Sequence, residues 1–218
     1  MREWRDAHPT YRVYSDADVL PFLEQWGGGA AELFQSIRIP ACRSDVARLV
    51  LLFCHGGLYV DAHCGPGDPH SLERLLAEIA ARDLVLFDES SEWSQYRYTG
   101  LFNGVLGARA GLPVIERLIG RALRNLAAQR RAEQRARGAP TDYCIYKLTG
   151  PWILWHELFR RRGTDGQLKR AYRDRVTIWP VRHKRADEAI HMFRHNRYRR
   201  RGAHWSERQL TEPLFVLP

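Results

Sequence analysis

The segment 41-ACRSDVARLVLLFCHGGLYVDAHCGPGD-68 decides the fold, because it joins the most apolar run of the chain to a close group of charged and metal-ligating side chains. The apolar run predicts a buried helix over 45–55, with Ser44 as its N-cap. Gly56 suits the left-handed end of that helix. A short buried strand is expected over 58–61, so that a helix, a tight turn and a strand deliver Asp61 to the edge of a sheet.

Helical and strand patterns alternate through the rest of the chain, which indicates an α/β fold with a mostly parallel sheet. We expect one domain over 1–218, with a core over 1–182 and an irregular basic segment over 183–218. The polar second half of the longest helix should be a solvated extension. The predicted strands are 11–14, 84–87, 101–108 and 176–180, and the predicted helices are 19–26, 30–36, 71–81, 113–137 and 149–162.

The composition restricts the class of protein. A chain of 218 residues with 44% hydrophobic residues is long enough for one domain with a substantial core. No apolar run reaches the length of a transmembrane helix, the N-terminus has no secretory apolar region, and the four cysteines form no C-x-x-C pair. A cytoplasmic protein with reduced thiols is therefore expected.

The net charge is +9, and nearly all of the 34 basic residues are arginines. Such a positive field favours anionic partners such as nucleotides, acidic glycans or anionic lipid. The run RHNRYRRR (194–201) could give peripheral contact with an anionic membrane at the inner face of the bilayer. No helix-turn-helix, zinc-finger or RNA-binding pattern is present, so nucleic acid is not an expected partner.

Asp45 and Arg48 are three residues apart on the predicted helix and therefore share a face. Charged groups on a buried helix must be paired or must face a site. One interpretation is that the two side chains form a salt bridge with each other near the helix start. The other is that both point at a ligand with many hydroxyl groups, such as a sugar.

Asp61 and His63 are two apart in an extended segment, so their side chains can aim together at one ion. They follow a buried strand, where open α/β sheets bind ligands. A carboxylate with an imidazole suits Mn²⁺ or Mg²⁺, and two protein ligands leave positions for a diphosphate. A surface Asp and loop His that bind no ion is the plainer alternative. A zinc site is a third possibility, formed by Cys54, His55, His63 and Cys64, although this spacing fits no usual zinc module.

The run from Ala41 to His63 resembles the sugar-nucleotide-binding segment of the family-32-type glycosyltransferases, whose pattern is approximately A-x-x-S-D-x-x-R…G-G-x-Y-x-D-x-D. The glucosylating domain of the large clostridial toxins carries a related segment. The resemblance continues in order along the chain and covers about residues 3–155. The further matching stretches are EWRDAHPTYRVYSDADV (3–19), FNGVLGARAGLPVIERLI (102–119) and TGPWILW (149–155).

Two features depart from the family pattern. The tripeptide D-A-H (61–63) replaces D-x-D, although polypeptide N-acetylgalactosaminyltransferases, a different GT-A family, use Asp-X-His with Mn²⁺. Family members also begin with a strand resembling I-P-K-x-I-H-x-x-W, and Met1 falls just after that point. The resemblance therefore implies a single GT-A-like, Rossmann-like nucleotide-sugar-binding domain that lacks the usual first strand.

The resemblance also implies roles for individual residues. Donor-sugar hydroxyls would be bound by Asp45, Arg48 and Asn103, and the nucleotide by Tyr59 and Asp61. The metal ligands would be Asp61 and His63, with His204 of the segment AHWSERQ (203–209) as a third. The loop over the diphosphate would contain Trp205 and Ser206.

The function implied is a metal-dependent glycosyltransferase that uses Mn²⁺ or Mg²⁺ and a nucleotide sugar, with a UDP-sugar favoured over a GDP-sugar. The acceptor would be a glycan, a lipid-linked glycan or a surface polysaccharide, and the transfer would retain anomeric configuration. No catalytic base is assigned, because the departing phosphate can take the acceptor proton. The alternatives are a non-catalytic relative that binds a sugar nucleotide and a basic nucleic-acid-binding protein.

Overall fold

The computed structural model describes residues 2–88, 100–137, 141–159, 168–181, 187–192 and 202–216. The helices are α1 (Arg2–Ala7), α2 (Asp16–Trp26), α3 (Ala30–Ser36), α4 (Pro40–His55), α5 (Pro69–Ala81), α6 (Pro113–Ala136), α7 (Ile145–Leu148), α8 (Pro151–Leu158) and α9 (Trp205–Arg208). The strands are β1 (Gly57–Val60), β2 (Gly65–Pro66), β3 (Leu84–Asp88), β4 (Leu101–Ala108), β5 (Val176–Pro180) and β6 (Ile190–His191).

The main sheet has four strands in the order β1-β4-β3-β5. β4 is antiparallel to both of its neighbours, whereas β3 and β5 are parallel. The α/β class is therefore confirmed, but the expectation of a mostly parallel sheet is wrong. The sheet is mixed because β4 reverses direction between two strands that run the same way.

Helices cover both faces of this sheet and bury its two sets of side chains. Leu84, Leu86 and Leu106 lie in the larger apolar cluster, which contains residues of α2, α3, α4, α6 and α8. Val85, Phe87 and Val105 lie in a smaller cluster with residues of α5 and with Trp4. The alternation along β3 explains this division, since successive side chains of a strand point to opposite faces.

Two local predictions near the N-terminus are wrong. Residues 11–14 are irregular rather than a strand, and the Tyr11 ring stacks on Trp4 at 5.9 Å while Val13 remains exposed. A strand needs a neighbour for its backbone groups, and this segment has none in the described sheets. Ser44 is not an N-cap, because α4 begins one turn earlier at Pro40, whose fixed φ favours the first turn of a helix.

The helix expected over 149–162 is found as α8, which begins at Pro151 and ends at Leu158, earlier than expected; residues 160–162 lie outside the described part. The short helix α7 that precedes it was not predicted. The prediction for the end of α6 is wrong. The second half of α6 is not merely solvated. Glu133 is buried and accepts hydrogen bonds from the backbone N–H groups of Leu214 (3.0 Å) and Phe215 (3.1 Å).

The described part of the C-terminal segment 183–218 packs against the core. Phe215 is buried and bridges to Ile37, and β6 pairs with β2. The basic run 194–201, predicted to contact a membrane, lies outside the described residues. Within the described part of the chain, no helix has both the length and the apolar character needed to cross a bilayer.

Candidate functional site

A large cleft of about 2300 Å³ runs along the outer side of β1, an edge strand of the main sheet. Its walls come from α4, β1, the start of β4, the irregular segment 10–15 and the region around α9. All the residues predicted to bind a donor or a metal line this cleft, and of the predicted diphosphate loop Trp205 does. The lining residues concerned are Asp45, Arg48, Tyr59, Asp61, His63, Asn103, His204 and Trp205.

Helix α4 places Asp45 and Arg48 side by side in the wall of the cleft. Both residues are buried, and an Nη1 atom of Arg48 donates to Oδ1 of Asp45. The salt-bridge interpretation is therefore confirmed. Both residues also border the cleft, and the interpretation that they face a ligand stays a prediction. The Nε atom of Arg48 is buried and has no hydrogen-bond acceptor among the described residues.

Arg48 also bridges to the carboxylate that follows β1. Its Nη2 atom donates to Oδ1 of Asp61 at 3.1 Å, and the Tyr59 hydroxyl donates to the same oxygen at 2.8 Å. The guanidinium lies 5.3 Å from the centre of the Tyr59 ring. One arginine thus joins two carboxylates from two different elements, an arrangement that orients all three groups.

The backbone of β4 holds Asp61 in place. The Asp61 N–H donates to the carbonyl of Gly104 at 2.7 Å. A Cβ atom on Gly104 would lie 2.7 Å from Oδ2 of Asp61, closer than atoms of this kind approach. The Phe102 ring would lie closer still, at 2.5 Å, so glycine at this position leaves the space that both the carboxylate and the ring occupy.

Two more donors complete the environment of Asp45. Asn103 of β4 donates from Nδ2 to Oδ1 of Asp45 at 2.8 Å, and the Thr149 hydroxyl donates to Oδ2 at 2.8 Å. Four separate segments therefore meet at one network, in which Asp45, Arg48 and Thr149 are buried and the other members are half-buried. We call Asp45, Arg48, Tyr59, Asp61, Asn103 and Thr149 the cleft network.

Burial and pairing set the protonation behaviour of the network. Burial raises the pKa of Asp45, while Arg48 and the hydrogen bond from Thr149 act in the opposite direction. Burial alone would lower the pKa of Arg48, but the carboxylates of Asp61 and Asp45 outweigh it and raise that pKa. Burial likewise raises the pKa of Tyr59. Arg48 is therefore a permanent cation, and Tyr59 remains a neutral hydrogen-bond donor.

Asp61 and His63 lie close together, with Oδ2 of Asp61 3.9 Å from Nδ1 of His63. Their side chains are 20% and 16% exposed, so both border the cleft without being fully open to solvent. Because Arg48 and Tyr59 bind Oδ1 of Asp61, its other oxygen is the one that could face a cation. The donor set, one carboxylate oxygen and one imidazole nitrogen, fits Mn²⁺ with the remaining positions left to a ligand.

Within the described ranges, no three His, Cys, Asp or Glu side chains come together in a group that could hold a metal. His204 lines the same cleft, but its Nδ1 atom is 2.7 Å from the Ser206 hydroxyl, and the residue caps the one-turn helix α9. Its role as a third ligand stays a prediction. The zinc alternative gains no support, since Cys64 is buried and donates to the carbonyl of Met192, while Cys54 is exposed.

The diphosphate loop is only partly at the cleft. Trp205 lines it beside His204, with the two ring centres 5.4 Å apart, whereas Ser206 is not among the lining residues. Arg208 and Gln209 of the same region do line it, and sequence reasoning assigned them no role. The Gln209 side chain accepts from the Ile145 N–H at 3.2 Å, which ties this region to the start of α7.

Sequence reasoning missed two parts of the cleft network. Arg48 lies on α4 and Asp61 follows β1, so no local sequence pattern predicts the contact between them. From the sequence, Thr149 was assigned only to the start of a helix. Its hydroxyl precedes Gly150-Pro151, at the break between α7 and α8, and a polar side chain at such a break is the signal that could have identified it as a site residue.

Comparisons with models of known protein families, with curated proteins and with solved structures found no match to this chain.

Proposed function

We propose that this chain is a metal-dependent glycosyltransferase with a GT-A-like domain, which moves a sugar from a nucleotide-sugar donor to a glycan or lipid-linked acceptor. One observation carries the proposal: the carboxylate–guanidinium–carboxylate chain Asp45–Arg48–Asp61 in the wall of a large cleft, buried at Asp45 and Arg48 and half-buried at Asp61, with His63 beside the outer carboxylate. The ordered resemblance of about residues 3–155 to family-32-type enzymes supports the same function.

The cleft network supports donor binding through its half-buried members. Tyr59, Asp61 and Asn103 line the cleft, and their hydroxyl, carboxylate and amide groups are the ones that the hydroxyls of a donor could reach. Asn103 and Thr149 hold Asp45 in one orientation, so a hydroxyl that reaches it would meet a preorganised acceptor. Specificity for one sugar would then come from the position of these groups.

Asp61 and His63 would hold a divalent ion, which when bound supplies positive charge against the departing diphosphate. In the transfer, the bond between the anomeric carbon and the phosphate oxygen breaks and its electron pair leaves with the diphosphate. A new bond forms from the acceptor hydroxyl to the anomeric carbon, and the hydroxyl proton goes to a departing phosphate oxygen. The chain's own part is to orient the donor and to exclude water from the anomeric carbon.

Thermal shift with a panel of UDP- and GDP-sugars, each with and without Mn²⁺, tests the proposal, together with assays of donor hydrolysis. We expect a UDP-sugar to raise the melting temperature only when Mn²⁺ is present. His63→Ala should abolish that shift, whereas His70→Ala, whose side chain is 87% exposed and away from the cleft, should retain it.

The outcomes separate the alternatives. Donor binding without hydrolysis would favour a non-catalytic sugar-nucleotide-binding protein. Salt-dependent binding to arbitrary DNA, with no response to any sugar nucleotide, would favour a nucleic-acid-binding protein and contradict the proposal.

A second experiment examines the unusual histidine. A neutral imidazole supplies less negative charge than a carboxylate, so we expect weaker activation by Mg²⁺ than by Mn²⁺. His63→Asp should narrow that difference, because it adds a hard anionic ligand. Equal activation by both metals in the unaltered chain would count against His63 as a ligand.

A further inference from the structure

Helix α6 carries a row of arginines on the side that faces away from the core. Successive members are separated by three, four or seven residues, so all lie within about 40° of one line along the helix. The row is about 27 Å long at the rise of an α-helix. We call it the α6 arginine row; it consists of Arg117, Arg121, Arg124, Arg131 and Arg135.

The opposite side of α6 is the buried one. Ile115, Leu126 and Glu133 point into the protein, whereas four of the five row members are exposed and Arg121 is half-buried. The row is therefore a surface feature that packing does not require.

The row carries little compensating negative charge. Only Arg117 forms an ion pair, with Glu157 at 2.9 Å, and the other four members pair with no acidic side chain in the described part of the chain. Of the acidic residues of α6, Glu133 is buried on the opposite side and Glu116 lies about 100° away around the helix. Like charges at these spacings repel, so the isolated protein gains no stability from the row.

A shallow depression lies at the C-terminal end of the row. It has a volume of about 430 Å³ and is lined by Arg131, Gln134, Arg135 and Arg137. Three guanidinium groups around one depression suit a phosphate group, because each guanidinium can donate two parallel hydrogen bonds to it.

We propose that the α6 arginine row is a docking surface for a lipid bilayer with anionic phosphate headgroups. A straight convex row touches a flat surface along its whole length, and mobile lipids can bring a phosphate to each arginine. The phosphates of a nucleic-acid duplex wind away from a straight line, so fewer members could contact them at once. α6 does not line the cleft, so docking through the row leaves the cleft accessible.

Co-sedimentation of the full chain with vesicles tests this surface. We expect binding to phosphatidylcholine vesicles that contain phosphatidylglycerol and none to phosphatidylcholine alone. Replacing Arg121, Arg124, Arg131 and Arg135 with Gln should reduce the partition coefficient by about 600-fold, since each basic residue near an anionic surface contributes about fivefold. Replacing the same four residues with Lys should largely preserve binding.

A matched control separates the row from net charge. The chain with Arg2, Arg5, Arg38 and Arg74 replaced by Gln loses the same charge from exposed positions outside α6. An equal loss in this control, or equal binding to neutral vesicles, would overturn the proposal. So would binding to a short DNA duplex that the row variant abolishes, with no binding to the anionic vesicles.

Discussion

Arg48 and the arginines of the α6 row show two opposite ways in which a helix can carry positive charge. Arg48 is 3% exposed and contacts two carboxylates, whereas Arg124, Arg131 and Arg135 are exposed and unpaired among the described residues. Burial makes the pairing of Arg48 obligatory, because an isolated buried charge is very costly. Solvent makes pairing optional for the row. The same residue type is therefore structural in one place and available for a partner in the other.

The largest expected effect is on Arg48. Arg48→Met should lower the free energy of unfolding by about 3–5 kcal/mol, because it leaves the buried carboxylate of Asp45 without its cation. Urea unfolding measures the change. Arg124→Met is the matched control and should change stability by no more than about 0.5 kcal/mol. Similar losses in the two variants would remove the distinction between the two kinds of arginine.

The double variant Asp45→Asn/Arg48→Met sharpens the same point. Replacing both partners of a buried pair is far less destabilising than breaking it, so the double variant should be more stable than Arg48→Met alone. Asp45→Asn alone completes the comparison. If the stability losses of Asp45→Asn and Arg48→Met add up to the loss in the double variant, the two side chains are not energetically coupled.

Thr149→Val comes next in size. It removes the hydroxyl that donates to Oδ2 of Asp45, and the unsatisfied buried carboxylate oxygen should cost about 1–3 kcal/mol. Thr211→Val, at an exposed position, serves as the comparison in the same thermal or urea unfolding series. Equal stability of the two variants would show that Thr149 is not part of the network's support.

The stability of Arg48→Met should depend on pH through the titration of the Asp45 carboxyl group. Burial raises the pKa of Asp45 and Arg48 opposes that rise, so removing the cation should raise the pKa further. A folded-state pKa above the unfolded value means that the folded chain binds the proton more tightly, and stability is lost as pH rises. The difference in unfolding free energy between the parent chain and Arg48→Met should therefore become smaller as the pH is lowered, by at most about 1.4 kcal/mol per pH unit for one proton. Unfolding at several pH values measures this slope, which Asp45→Asn/Arg48→Met should lack.

The smallest effect is expected for the α6 row. Replacing Arg121, Arg124, Arg131 and Arg135 with Gln should leave the unfolding free energy within about 1 kcal/mol of the parent, with any change stabilising, because repulsion along the helix is relieved. A large loss in thermal unfolding would mean that the row supports the fold and is not a free surface.

The sequence predicted most of the elements around the site but not how they join. The apolar patterns located α4, β1, β3, β4 and β5 to within a few residues, since burial imposes the period of each element. They did not show that β4 runs against its neighbours, because strand direction depends on how connections cross the sheet. They also misjudged the second half of α6, where Glu133 is buried because a distant backbone segment donates two hydrogen bonds to it.

The site divides in the same way. By itself, the sequence determined that Asp45 and Arg48 share a helix face and that Asp61 and His63 follow a strand, because these relations depend only on local periodicity. Only the tertiary structure decided that Arg48 reaches Asp61, that Thr149 supports Asp45 and that His204 borders the same cleft. These contacts join residues 13 to 104 positions apart or lie across a cavity, so they arise from packing and from the need to pair buried charge.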